Sequence, residues 1–154
     1  MIRIGGTIVA IIVLSALLAP WIAPFDPAVQ DLPLRLEGPT GSHVFGLDEL
    51  GRDILSRVLL GARVSLLVGL VVVGISATVG TAMGAIAGYY GGRVDQLISR
   101  VMDILLAFPG LLLAIALVAV LGPSLVNVVL ALTVIGWVGY ARLARRTWPR
   151  TSRA

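Results

Sequence analysis

Of the 154 residues, 58% are hydrophobic and only 13% are charged. With glycine counted and tyrosine set aside, about two-thirds of the chain is apolar, against roughly 45–50% in a soluble domain; this excludes a soluble globule, which needs polar cover, and a disordered chain, which is poor in apolar side chains. All 12 basic residues are arginine, the net charge is +4, and five arginines fall from Arg142 onward, so the basic excess reads as a membrane topology signal and not as a nucleic-acid footprint.

The first apolar stretch, Ile4 to Ala23, holds 20 residues without a charge, which matches the roughly 20 needed to cross a bilayer core. A signal peptide has a shorter apolar core, about 7–15 residues, closed by an Ala-x-Ala-like site. Neither condition is met cleanly, so an uncleaved first span over 4–23 is expected. From Pro24 to Arg63 the chain turns polar, broken early by Pro24, Pro27, Pro33 and Pro39. Leu47, Leu50, Ile54, Leu55, Val58 and Leu59 recur there at helical spacing, with Asp48, Glu49, Arg52, Asp53, Ser56 and Arg57 opposite. This pattern predicts an external amphipathic helix over 46–63. Asp48 with Arg52 and Asp53 with Arg57 would support it as i,i+4 pairs.

Val64 to Tyr90 is uncharged over 27 residues, long enough for a tilted second span. Within it Ser76, Gly80, Gly84 and Gly88 recur every fourth position, forming a small-residue ribbon that lets another helix approach closely. Gly91 to Arg100 reads as a short polar connection, and a third span is expected over 101–121. Pro109 cannot donate to the carbonyl of Leu105, so this span should be kinked there. Gly122-Pro123-Ser124 reads as a tight reversal with Ser124 capping a fourth span, 125–143. With the N-terminus inside, the inner segments hold eight arginines and the outer loop four, so both termini are expected in the cytoplasm. The fold class expected is all-α, a polytopic membrane protein with four transmembrane helices. It divides into a first helix with its external loop (1–45), an amphipathic helix (46–63), a partial transmembrane domain (64–146) and a tail (147–154).

No catalytic constellation is apparent. The lone histidine, His43, lies in a Pro/Gly-rich loop without periodic relation to a serine, so a catalytic triad is not expected. Without lysine there can be no Walker-type phosphate loop, and without cysteine no thiol chemistry or disulfide. No catalytic, cofactor or metal residues are therefore assigned. Asp103 is the sole acid within an apolar run. It either lines a pathway or is solvated at the interface beside Arg100. Asn127 divides likewise between interhelix hydrogen bonding and pathway lining, and Pro109 joins them as a pathway candidate through its kink.

The run from His43 through Gly46-Leu47-Asp48-Glu49-Leu50-Gly51-Arg52-Asp53-Ile54-Leu55-Ser56-Arg57 to Gly61-Ala62-Arg63 resembles the motif before the second span of peptide-type ABC importer permeases. The likeness, specifically to the C-type subunit of dipeptide, oligopeptide and nickel importers, continues through Ala87-Gly88-Tyr89-Tyr90-Gly91-Gly92, Asp103 to Pro109, Gly122-Pro123-Ser124 and Gly136 to Arg142. It implies that Gly46, Asp48, Gly51, Arg52, Asp53, Ser56, Arg57, Gly61 and Arg63 form an external family motif. It further implies a heterodimer with a second permease subunit, two cytoplasmic ABC ATPases, an extracytoplasmic solute-binding protein and residence in a bacterial or archaeal cell membrane, with no cofactor and no nucleic acid. The solute would be a peptide or a nickel complex. Leu47 replaces a usual threonine, and Val44 and Val138 stand where prolines are common. The end departs more sharply: no glutamate follows Glu49, so the Glu-Ala-Ala coupling loop that receives the ATPase is absent, and a truncated permease is expected. The alternative is a small four-span scaffold or regulatory protein without transport activity.

Overall fold

The computed structural model describes residues 2–147. Five α-helices account for most of them: α1 (Ile2–Ile22), α2 (Ile54–Tyr90), α3 (Gly92–Leu106), α4 (Gly110–Leu121) and α5 (Leu125–Thr147). A single 3-10 turn, Leu32–Leu34, interrupts the long loop between α1 and α2. No strand occurs among the described residues, only one isolated bridge between Leu47 and Asp53. The architecture is therefore all-α. Three helices are long and apolar enough to cross a membrane, or four if α3 and α4 count as one bent span. The chain divides into two compact units, Met1–Leu67 and Val68–Ala154.

The first unit contains α1, the loop and the first turns of α2. The loop carries its own backbone order. Leu36 N–H donates to Asp48 O, Leu47 N–H to Glu37 O and Asp48 N–H to Arg52 O, at 2.9–3.1 Å. Two glycines make this possible. Gly46 has φ +74°, where a Cβ would lie 2.5 Å from Glu37 O, and Gly51 has φ +70°, where one would lie 1.8 Å from Asp31 O. These are backbone conformations that L side chains rarely adopt.

This arrangement corrects the helix expected over 46–63. Residues 46–53 form turns whose N–H groups bond within the loop, and helix begins only at Ile54. Periodicity alone could not see the two left-handed glycines that interrupt it. From Ile54 nothing breaks the helix, so it runs through Arg63 and on to Tyr90, 37 residues in all. The expected surface helix and second span are one element.

In the second unit, Ala87 of α2, Ile98 and Met102 of α3, and Val138 and Ala141 of α5 form the buried core, with Met83, Leu105 and Trp137 packed against it. The polar connection expected over 91–100 is helical. Gly91 and Gly92 both take positive φ (+59° and +52°), which turns the chain so sharply that α3 starts at once. The span expected over 101–121 is likewise replaced by two helices bent by 84°. The cause is local: Pro109 has no N–H, and the Ala107 N–H splits between the carbonyls of Asp103 and Ile104, closing α3 before the proline. At the other reversal, Gly122 has φ +95° and Ser124 Oγ accepts the Asn127 N–H at 3.1 Å, capping α5. That helix extends through Thr147, past the expected end at 143. The rest of the expected tail, 148–154, lies outside the described residues.

Candidate functional site: the loop motif and the helix-packing ribbon

The loop motif assembles around two carboxylates. Asp53 stands at the N-cap of α2, where its Oδ2 accepts the Ser56 N–H at 2.7 Å, satisfying one of the helix's orphan donors. Its Oδ1 meets Nδ1 of His43 at 3.1 Å, and His43 stacks on the Phe25 ring with centroids 4.5 Å apart. Because a carboxylate only accepts, the hydrogen-bond network assigns the proton to Nδ1. Ser56 is fully buried, and its Oγ accepts the Phe25 N–H at 3.1 Å. Asp53 thus ties the loop at His43 to the start of α2, and Ser56 ties the chain just after α1 to the same turn. Burial works to raise its carboxyl, but the Ser56 N–H and hydroxyl and the His43 imidazole outweigh this and hold it below the usual aspartate value.

Asp48 is the second hub. Its Oδ1 accepts the N–H groups of Leu50 and Arg52 at 2.8 and 3.0 Å. Its Oδ2 receives the Arg52 guanidinium at 2.8 Å and that of Arg57. Desolvation pushes the carboxyl up; the Arg52 and Leu50 backbone donors and the Arg52 guanidinium prevail and lower it to about 2. Of the two expected i,i+4 pairs, Asp48 with Arg52 exists, though in a turn and not in a helix. Asp53 does not meet Arg57, since Asp53 is engaged by His43 and Arg57 by Asp48.

His43, Asp53 and Ser56 are a residue set known from hydrolases, but their order here differs. In a nucleophilic relay the imidazole sits between hydroxyl and carboxylate. Here the carboxylate sits between imidazole and serine, and Ser56 Oγ has no exposed surface. The constellation is a structural tie. Gly61 and Arg63 lie farther along α2; a Cβ at Gly61 would meet nothing within 4 Å, and Arg63 is exposed.

The small-residue ribbon lies against α5. A Cβ on Gly80 would fall 2.3 Å from Trp137 O, one on Gly84 2.3 Å from Ala141 O, and one on Gly136 2.6 Å from Ser76 Oγ. Ser76, Gly80 and Gly84 are buried, while Gly88 is half-buried.

The three pathway candidates are held otherwise. Asp103 has an exposed side chain (71%) and pairs with Arg142 at 3.2 Å. Pro109 occupies the break between α3 and α4. Asn127 donates from Nδ2 to the carbonyls of Leu121 and Gly122 at 2.8 and 2.9 Å, closing the α4–α5 turn. Among the partnerships not visible in the sequence are His43 with Asp53, and Asp95 with Arg145. The latter is a two-point contact of α3 with α5, at 2.5 Å from Nε and 2.7 Å from Nη2. Asp53 immediately before the apolar Ile54-Leu55 is a helix-start signal that could have located the first turn of α2; nothing in spacing points to His43 or Arg145.

Residues 80–148 match the family described as the binding-protein-dependent transport system inner membrane component, and residues 1–39 match the N-terminal TM domain of oligopeptide transport permease C. A probable D,D-dipeptide transport system permease protein of Escherichia coli K12 is 47% identical over 141 residues, covering 92% of this chain and 47% of that protein. A dipeptide transport system permease protein of Haemophilus influenzae is 45% identical over 148 residues, covering 92% and 50%. A glutathione transport system permease protein of Pectobacterium atrosepticum is 43% identical over 142 residues, covering 92% and 47%. The chain spans about half the length of the curated relatives it matches.

Proposed function

The chain belongs to the inner-membrane components of binding-protein-dependent transport systems, and on that premise we propose that it contributes helices to the translocation pathway of an ATP-driven importer for peptides. The observation that carries this is the identity of 43–48% to dipeptide and glutathione permeases, sustained over about nine-tenths of the chain. Nickel complexes are a second solute class of the same chemistry of delivery; the named relatives favour peptides. In this reading a second permease subunit completes the pathway, cytoplasmic ATPases supply the work, and an external binding protein delivers the solute. Both termini face the cytoplasm and the 23–53 loop faces outward, in keeping with the arginine distribution.

The motif residues Gly46, Asp48, Gly51, Arg52, Asp53, Ser56 and Arg57 then support the outer side, either at the gate or where the binding protein docks. Their role is to hold a loop shape, through the two carboxylate hubs, on the start of α2. Ser76, Gly80, Gly84 and Gly88 serve the α2 packing that any pathway rearrangement must preserve.

The test grafts residues 1–147 of this chain in place of the matching half of a full-length dipeptide permease, which then supplies the coupling loop, and co-expresses the graft with the second permease subunit, the ATPases and the binding protein of that importer in cells lacking dipeptide uptake. ATP- and binding-protein-dependent uptake of a labelled dipeptide, together with co-purification of the ATPase, is the expected result. Stable accumulation in the membrane with neither uptake nor bound ATPase would favour the scaffold reading instead.

A further inference from the structure

Helix α3 presents three different surfaces. One is buried in the core through Ile98 and Met102. A second, formed by Val94, Leu97, Val101 and Ile104, is apolar and open, with Leu97 68% and Ile104 64% exposed. These four recur at positions i, i+3, i+7 and i+10, one continuous stripe of a helix. Beside that stripe, two turns apart, stand Arg93 and Arg100, exposed and without an ion-pair or hydrogen-bond partner among the described residues. Farther round lie Gln96 and Asp103, both exposed, the latter neutralised by Arg142.

A helix with four charges in 15 residues (Arg93, Asp95, Arg100, Asp103) does not cross hydrocarbon. The helix after the break, α4, is uncharged throughout. The 84° bend between them places α3 almost parallel to the membrane plane when α4 runs across it. We propose that α3 lies in the headgroup–acyl boundary, with the Val94–Leu97–Val101–Ile104 stripe dipped into the acyl chains and Arg93 and Arg100 binding the phosphates of anionic phospholipids. The occupant is argued from charge and order around the helix: two unpaired guanidinium groups border the apolar stripe, as in helices that lie on membranes, while the neutralised acid is on the water side.

The chain has no cysteine, so single substitutions can carry a nitroxide without competing labels. Leu97→Cys, Ile104→Cys and Gln96→Cys are labelled in the full chain reconstituted in vesicles of phosphatidylcholine, or phosphatidylcholine with phosphatidylglycerol. Collision with oxygen and with a water-soluble nickel chelate reports depth. Labels at 97 and 104 should sit just below the phosphates, while the label at 96 meets the aqueous reagent. Preference for spin-labelled phosphatidylglycerol should fall roughly 5-fold for Arg93→Gln or Arg100→Gln, since each basic residue near an anionic surface contributes on the order of a factor of five. Gln96→Ala, the surface control, should leave it unchanged. Labels at 97 and 104 as wet as at 96, or at mid-bilayer depth, or shielded from both reagents by protein, would each overturn the proposal. So would a lipid preference unaffected by either arginine substitution.

Discussion

Gly84→Ala adds one methyl group, and the contact between α2 and α5 decides its sign. The added Cβ would stand 2.3 Å from the Ala141 carbonyl oxygen and 2.8 Å from Ala144 Cβ. Ordinary contact begins near 3.4 Å, so α5 must retreat by about 1 Å, and a backbone oxygen cannot rotate aside. Overpacking of this kind costs about 1–3 kcal/mol, against which the better helix propensity of alanine returns at most about 1 kcal/mol. With the full return the net loss is up to about 2 kcal/mol, or up to about 30-fold in the folded ratio. Gly74→Ala is the matched control: it lies in the same helix, exposed, with nothing within 4 Å of the added atom, and should be neutral or stabilising by up to about 1 kcal/mol. Unfolding both variants by dodecyl sulfate in mixed micelles, followed by the fluorescence of the chain's tryptophans, compares them directly. Equal stability of Gly84→Ala and Gly74→Ala would refute a tight α2–α5 contact at this position.

Other expectations follow from the loop. Asp53→Ala removes the cap of α2 and leaves the Ser56 N–H without its acceptor, a loss of about 1–3 kcal/mol; hydrogen exchange of the first turn of α2 and of residues around His43 should accelerate together, and unchanged exchange would argue against the tie. Asp48, lowered to about 2 from 3.8, contributes loop stability that is complete above its unfolded value and disappears as pH falls from about 5 toward 2. Asp48→Asn should flatten that acid-side loss when loop exchange is measured against pH, and an identical profile in the variant would count against the assignment. A reporter enzyme fused near Gly41 should score as external and one near Asp95 as cytoplasmic; the reverse pair of results would invert the proposed topology.

How much of this was readable beforehand depends on the range of the interactions. Uncharged runs mark the apolar helices well, because the cost of charge in a bilayer acts residue by residue; α1 differs from the expected 4–23 by only one or two positions at each end. The ribbon at Ser76, Gly80 and Gly84 is visible for the same reason: close approach demands small residues at a fixed period. What was not visible is decided by partners far away in sequence or by backbone conformation. The helix periodicity through Leu47 and Leu50 is real as a pattern, yet Gly46 and Gly51 at positive φ interrupt it. Pro109 announces a disturbance but not its size; the 84° bend is seen only in the fold, where α3 is also paired with α5 through Asp95 and Arg145. Asn127 could have been read either as pathway or as packing, and only the carbonyls of Leu121 and Gly122 at the preceding turn show what it bonds.

The two acids of α3 and their arginines on α5 together act as a ruler. Asp95 pairs with Arg145 and Asp103 with Arg142, so eight steps on one helix correspond to three on the other, roughly 12 Å against 4.5 Å. Such unequal spacing belongs to helices that cross, with long arginine side chains making up the difference. Suppose α5 slid by one turn in either direction. Moved one way, Asp103 would find Arg145 or Arg146, but Asp95 would lose Arg145; moved the other way, Asp95 would find Arg142, but Asp103 would face Val138 or Gly139. Each slip strands one acid, and only the observed alignment satisfies both.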